Sequence, residues 1–212
     1  MKSVLAIETS CDDTSVAIIN ENREVLTCLV ASQDLAHKPF GGVVPEIASR
    51  NHTANILPLV EEAFNQTGVR WKDLYGIAAT NRPGLVGSLI VGLVTAKTLA
   101  LGKKLPFLGV HHIEGHIMAP FLKDDSYQGP DFYKEKFIAL VVSGGHSQIY
   151  EVAGFSNYTC LGQTIDDAAG EAFDKFAKMV GLPYPGGVQV DRNAQGGDSK
   201  KFSFPRPLIH EE

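Results

Sequence analysis

Cysteine is scarce in this chain. The three present, Cys11, Cys28 and Cys160, lie far apart, are odd in number and fall in no Cys-x-x-Cys pattern. That excludes a disulfide framework and a thiolate zinc site, and it points to a reducing compartment. A basic surplus is also missing: 19 Lys and Arg stand against 24 Asp and Glu, for a formal net charge of −5. Such a field repels phosphate. It excludes nucleic-acid binding by bulk charge and leaves room for a local basic patch or a basic partner. Long apolar runs are absent as well. The longest, LVGSLIVGLVTA before Lys97, falls short of the roughly 20 residues needed to cross a bilayer, so a buried helix and no membrane are expected. Only VLAI precedes Glu8, too short a run for a signal-peptide core.

What is present is an ordinary globular composition over 212 residues, 44% hydrophobic and 20% charged, enough for one large domain or two small ones. Residues 3–9 and 14–20 are β-rich runs around a polar turn and read as a hairpin; 24–33 suggests a third strand. Residues 45–66 place Ile47, Ala48, Ile56, Leu59, Val60, Ala63 and Phe64 at helical spacing. Pro45 suits the first turn of that helix, Pro58 predicts a kink, and Gly68 is a natural stop. A strand over 74–80, a small-residue helix over 85–101 and a strand over 106–110 follow. The order predicts an α/β layer with a mixed sheet. The polar, turn-rich stretch 123–136 reads as a linker. A second hairpin, FIALVVSGGHSQIYEV, turns at Ser143-Gly144-Gly145, and a helix is expected over about 165–180. Beyond residue 183 no regular structure is predicted.

The two hairpins share one plan: an apolar strand, a turn of small hydroxyl or glycine residues, and a return strand. Such turns expose backbone N–H groups without obstruction from Cβ and can form anion nests. Two nests across a cleft could hold a nucleotide's phosphates; each could equally be a plain hairpin turn.

The stretch GVHHIEGHIM places His112 and His116 four apart, on one face of a helix that follows a strand. They can share a metal or be two surface histidines, and a metal would need at least one further ligand. His111 falls on another face and reads as structural. In a His-Glu-x-x-His protease the glutamate lies next to the first ligand. Here Glu114 is two places on, about 200° around the helix from His112, so it points away from the metal. In TIDDAAGEAFDKFAKMV, Ala169, Phe173, Phe176, Ala177 and Val180 share one face, and Asp167, Glu171 and Asp174 another. The acidic set is either a solvated face or a place for ribose hydroxyls.

Taken together, IETSCDDTSVAI, GGVVPEIASRNH, PGLVGSLIVGL, HHIEGH, VVSGGHSQ, IDDAAGEAFDK and PYPGG occur in that order. They resemble bacterial-type tRNA N6-adenosine threonylcarbamoyltransferases, once described as O-sialoglycoprotein endopeptidases, along residues 1–207. The resemblance implies an actin-like ATPase fold of two ribonuclease-H-like domains. The first would span 1–122 and carry the metal histidines; after the linker at 123–136, residues 137–212 would begin a second, nucleotide-binding domain. It implies transfer of the threonylcarbamoyl group from threonylcarbamoyl-AMP to N6 of the tRNA adenosine beside the anticodon, in the cytoplasm. By matching motif, His112 and His116 would ligate one divalent metal, iron(II) first and zinc second. Val141, Val142, Ser143, Gly144, Gly145, Asp174 and Gly187 would contact the adenylate. The implied partners are tRNA, a fold-related subunit and a P-loop ATPase subunit. No side chain is expected as a catalytic nucleophile, because the acyl donor is already activated and positioning is what helps.

The family is usually longer. Its later segment carries a third metal ligand, an aspartate, and an asparagine that binds the nucleotide. The expectation is therefore a chain without the C-terminal third and with little transferase activity by itself. Arg82 and Val188 depart from the residues usual in the family's Gly-Pro-Gly and Pro-Gly-Gly loops. A non-catalytic scaffold that dimerises, and a metalloendopeptidase, are the other readings.

Overall fold

The structure, a computed structural model, describes residues 2–130 and 135–205. Part of the expected linker, 131–134, and the tail 206–212 lie outside the described residues. By compactness the chain divides into two units: Met1–Val141 with Ser147–Gln163, and Val142–His146 with Thr164–Glu212. The three-stranded second sheet thus groups with the first unit.

Five strands form the main sheet: β1 (Ser3–Glu8), β2 (Thr14–Asn20), β3 (Val25–Ala31), β4 (Leu74–Arg82) and β5 (Phe107–His111), in the order β3-β2-β1-β4-β5. β1–β2 and β2–β3 are antiparallel, whereas β1–β4 and β4–β5 are parallel. β1 is therefore the hinge between a meander and a parallel pair, and it is central. Strict alternation of buried and half-buried residues in β1 and β2 sends Leu5, Ile7, Val16 and Ile18 to one face.

After a short α1 (Asp34–His37), two long helices, α2 (Pro45–Thr67) and α3 (Val86–Lys103), cover that face. Pro45 opens α2, and Gly68 closes it at φ 66, a left-handed turn that glycine adopts without strain. The helix runs unbroken past Pro58. Ile56, Val60 and Ala63 from α2 and Ala96 and Ala100 from α3 complete one core with Leu5, Ile7, Val16, Ile18 and Ile77. α3 is long and apolar enough to span a membrane by composition. It buries Ser88, Leu89, Gly92, Ala96 and Ala100 against the sheet, and leaves Val86, Ile90 and Val94 as an exposed stripe.

Helix α4 (His112–Met118) follows β5 with only a cap between them. The second sheet consists of β6 (Phe137–Val142), β7 (Ser147–Gly154) and β8 (Asn157–Gln163). Ile113 and Ile117 of α4 pack with Val141 and Val152 of that sheet in a smaller core. β8 was not expected; its sequence NYTCLGQ is mostly exposed and lacks an apolar face. The second unit holds α5 (Ala169–Met179) and α6 (Gly186–Ala194). α5 begins four residues later than expected. α6 occupies a stretch that lacked a readable period and opens on two glycines.

α3 crosses β1 closely. A Cβ at Gly92 would overlap the hydroxyl of Thr9, which is buried and donates to the Ser88 carbonyl at 2.8 Å. Gly92→Ala gains about 1 kcal/mol of helix propensity, but the overlap costs about 1–3 kcal/mol, and the Thr9 hydrogen bond is disturbed. We expect a net loss of about 1–2 kcal/mol, measured by urea unfolding.

Candidate functional site

The parallel strands β1, β4 and β5 end side by side, and their carboxyl ends carry the polar residues. This is where α/β sheets usually bind ligands. Glu8 closes β1, Thr80 lies near the end of β4, and His111 closes β5 opposite Arg82. The β1–β2 turn that follows Glu8 is fixed from behind. The Cys11 carbonyl accepts from His52 Nε2 at 3.0 Å and from the Ser88 hydroxyl at 3.1 Å. His52 is fully buried, and its Nδ1 accepts from the Thr14 hydroxyl at 2.8 Å. The Ser10 carbonyl accepts from the Leu85 amide at 2.8 Å. α2 and α3 thus hold the turn through buried polar contacts, each satisfied on both sides.

The turn was expected as a possible nest for a phosphate. It cradles an anion of its own. Glu8 Oε1 accepts from the Ser10 amide, and Glu8 Oε2 from the Thr80 hydroxyl. Glu8 Oε2 also lies 3.2 Å from His112 Nδ1, with Ser10 Oγ at 3.2 Å from the same nitrogen. His112 in turn faces His116. Their Nε2 atoms are 3.0 Å apart, and the rings meet edge to face at 4.5 Å between centroids.

The two neighbouring residues of the cluster have different work. His111 caps α4: its Nδ1 accepts from the Ile113 amide at 3.2 Å. Glu114 Oε1 accepts from the Ser156 amide at 3.2 Å, the Ser156 hydroxyl at 3.3 Å and the Tyr158 hydroxyl. It anchors α4 to the β7–β8 turn and is no base for a water at the histidines. Among the described residues, no group of three or more His, Cys, Asp or Glu side chains gathers as a ligand set. The pair fits part of one. Two nitrogens each about 2.1 Å from a shared ion, at 90–110°, are about 3.0–3.4 Å apart. The observed spacing, with a carboxylate behind His112, matches that requirement.

Burial pushes the Glu8 carboxyl upward and is the largest single influence. Hydrogen bonds from His112, Ser10 and Thr80 together outweigh it and hold the group at about 2, below the ordinary 4.5. Cys11 goes the other way: desolvation, with Asp12 and Asp13 beside it, raises its thiol to about 12. It is not a nucleophile near neutral pH.

In the second unit, Ser143, Gly144 and Gly145 form a turn in which the Ser143 amide donates to the His146 carbonyl at 2.7 Å. The Gly170 and Glu171 amides, in the first turn of α5, donate to the Ser143 and Gly144 carbonyls. The amides of Gly144 and Gly145 donate to no described residue, and a Cβ at either would meet open space. The expected acidic face of α5 is divided. Asp167 precedes the helix, and it shares Lys175 with Glu171, the latter at 3.1 Å. Asp174 Oδ1 accepts from the Gly186 amide at 2.7 Å and so caps α6. The apolar face is not a core: Phe173 and Phe176 stay half exposed and only Ala177 is buried. Val141 is buried and Val142 exposed.

Sequence reasoning singled out the histidines but passed over Glu8, Ser10, Thr80 and His52. One signal was available for Glu8: an acidic residue closing an apolar strand and followed by Thr9 and Ser10.

A mixed sheet in the order β3-β2-β1-β4-β5, covered on one face by α2 and α3 and followed by a second sheet, defines an actin-like ATPase-type fold. Solved structures agree on the fold. The activator of 2-hydroxyisocaproyl-CoA dehydratase from Clostridium difficile aligns with a TM-score of 0.52 and 10% identity, over 96% of this chain and 60% of that one. Component A of (R)-2-hydroxyglutaryl-CoA dehydratase from Acidaminococcus fermentans aligns with a TM-score of 0.52 and 12% identity, over 97% and 63%. The family model for TsaD, tRNA N6-adenosine threonylcarbamoyltransferase, matches residues 24–212. The chain belongs to this family. A tRNA N6-adenosine threonylcarbamoyltransferase from Bdellovibrio bacteriovorus is 56% identical over 212 residues, all of this chain and 61% of the relative. One from a Geobacter species is 54% identical over 208 residues, 98% of this chain and 59% of the relative. The chain thus spans about three fifths of the length of these relatives.

The position of Glu8 has a pH consequence. Its pKa is lower in the folded protein than the ordinary 4.5. Its stabilising contribution is therefore complete above about 4.5 and is lost as pH falls toward about 2. Urea unfolding across that window should show a shallower acid loss for Glu8→Gln than for the wild type.

Proposed function

We propose that the chain takes part in transferring the threonylcarbamoyl group from threonylcarbamoyl-AMP to N6 of the tRNA adenosine beside the anticodon, in the cytoplasm. The observation that carries this is the histidine pair, Nε2 to Nε2 at 3.0 Å, at the carboxyl edge of the sheet in a chain of this family. In the reaction the adenosine amine attacks the carbamoyl carbon. The bond from that carbon to the phosphate oxygen breaks, AMP leaves with the electron pair, and the amine gives up a proton. The donor is a mixed anhydride, so the protein supplies position rather than a nucleophile.

His112 and His116 hold one divalent metal, iron(II) first and zinc second. When bound, the ion supplies Lewis acidity where negative charge grows on the carbamoyl oxygen. Val141, Val142, Ser143, Gly144 and Gly145 contact the adenylate. The amides of Gly144 and Gly145 support this, because they are donors with no acceptor among the described residues. Asp174 and Gly187 contact it from the junction of α5 and α6. A fold-related subunit and a P-loop ATPase are the partners. The exposed stripe of Val86, Ile90 and Val94 offers the first of these an apolar surface. Basic partners would supply the field that a chain of net charge −5 lacks.

Two measurements test this. Threonylcarbamoyladenosine formation is assayed with tRNA, threonylcarbamoyl-AMP and both partner subunits. A low rate that disappears in the His112→Ala/His116→Ala variant is expected; a rate indifferent to both histidines contradicts the reading. On the adenylate side, a Cβ at Gly187 meets only Phe173 Cβ, at an ordinary 3.8 Å. Gly187→Ala should leave the melting temperature unchanged and weaken AMP binding about tenfold or more, on the order of 1.4 kcal/mol. Unchanged affinity would remove Gly187 from the adenylate site.

A further inference from the structure

We infer that Glu8 is the positioning residue for His112: it fixes which ring nitrogen of that histidine carries the proton and so presents Nε2 to a metal. This rests on the metal reading of the histidine pair.

Glu8 is 104 residues from His112 in the chain, and the fold brings them together at the ends of adjacent elements. The carboxylate cannot swing. The Ser10 amide holds one oxygen and the Thr80 hydroxyl the other. Ser10 sits in the turn locked by the Leu85 amide, and Thr80 lies on β4. With both oxygens engaged, Oε2 still has acceptor capacity toward His112 Nδ1 at 3.2 Å. A carboxylate in this state only accepts, so Nδ1 must donate. In the neutral ring that leaves Nε2 with its lone pair, on the edge facing His116 Nε2 at 3.0 Å. Carboxylate-to-histidine contacts of this kind orient metal-ligating imidazoles and raise their basicity. Glu8 touches Nδ1 rather than Nε2, so it stands behind His112 and is not itself a ligand.

His112 needs such a support. It is the first residue of a seven-residue helix, and its side chain is 25% exposed. Left to itself the ring could rotate or take the other tautomer, and Nε2 would then be a donor with nothing to offer a cation. His111 and Glu114 fix the helix backbone, one by capping it and the other by tying it to the β7–β8 turn. Glu8 is what fixes the ring.

The test uses the 212-residue chain and two readouts. Zinc, and iron(II) under anaerobic conditions, are titrated into wild type, Glu8→Ala, Glu8→Gln and His112→Ala/His116→Ala. Glu8→Ala should weaken binding about 10–100-fold. Glu8→Gln keeps one acceptor oxygen for the three donors that Glu8 serves, so it should weaken binding by less than Glu8→Ala. Nitrogen-15 spectra of the metal-free protein should show the Nδ1–H tautomer of His112 in wild type and its loss in Glu8→Ala. A merely structural role for Glu8 would not move that signal. Binding that needs the histidines but ignores Glu8, or an unchanged tautomer in Glu8→Ala, overturns this inference alone. Glu8→Gln losing binding as badly as Glu8→Ala while His112 keeps its Nδ1–H tautomer also overturns it, in favour of direct ligation by the carboxylate. Binding indifferent to both histidines overturns the metal reading, while the tautomer still decides what Glu8 does.

Discussion

One carboxylate at the end of the central strand joins the parts on which everything else depends. Glu8 takes donors from its own turn, from β4 and from α4. The core beneath it is conventional: Leu5, Ile7, Val16, Ile18 and Ile77 packed under two helices. A partly buried carboxylate is costly unless hydrogen bonded, and here it is bonded on both oxygens. The burden of supporting it falls on the turn at Thr9–Asp13, which explains why a buried histidine, His52, and a buried serine, Ser88, are spent on one carbonyl, that of Cys11.

The histidine helix is held from two sides by different forces. Its apolar residues Ile113 and Ile117 sink into the small core of the second sheet, while His112 turns toward Glu8. Glu114 completes the arrangement through Ser156 and Tyr158. The four polar residues in HHIEGH thus have separate destinations: a cap, a pair of facing imidazoles and a tether. A protease would need the glutamate beside the pair, and the tether removes it. In the second unit the same economy holds, since Asp174 caps α6 and Lys175 neutralises Asp167 and Glu171. Among the described residues, the amides of Gly144 and Gly145 have no acceptor there.

Much of this was legible in the residues. Alternation in VLAIE and TSVAII predicted the first hairpin, Pro45 and Gly68 bracketed α2, and the four-residue spacing of His112 and His116 put both rings on one face. These are local signals, set by chain period and turn chemistry. The failures were of two kinds. β8 and α6 carry no strong apolar period, so only their neighbours in space define them. Glu8, Thr80 and His52 become site residues only through the register of β1 on β4 and the docking of α2. No spacing within the sequence encodes that a residue at position 8 will meet one at position 112.

The central claim is that an ion seated here is bound by both imidazoles. X-ray absorption at the zinc edge of the zinc-loaded chain tests it directly. Two nitrogen neighbours at about 2.0–2.1 Å, with the outer-shell pattern of imidazole, are expected, and replacing His116 by alanine should remove one of them. A first shell of oxygen alone, unchanged by that substitution, would contradict it.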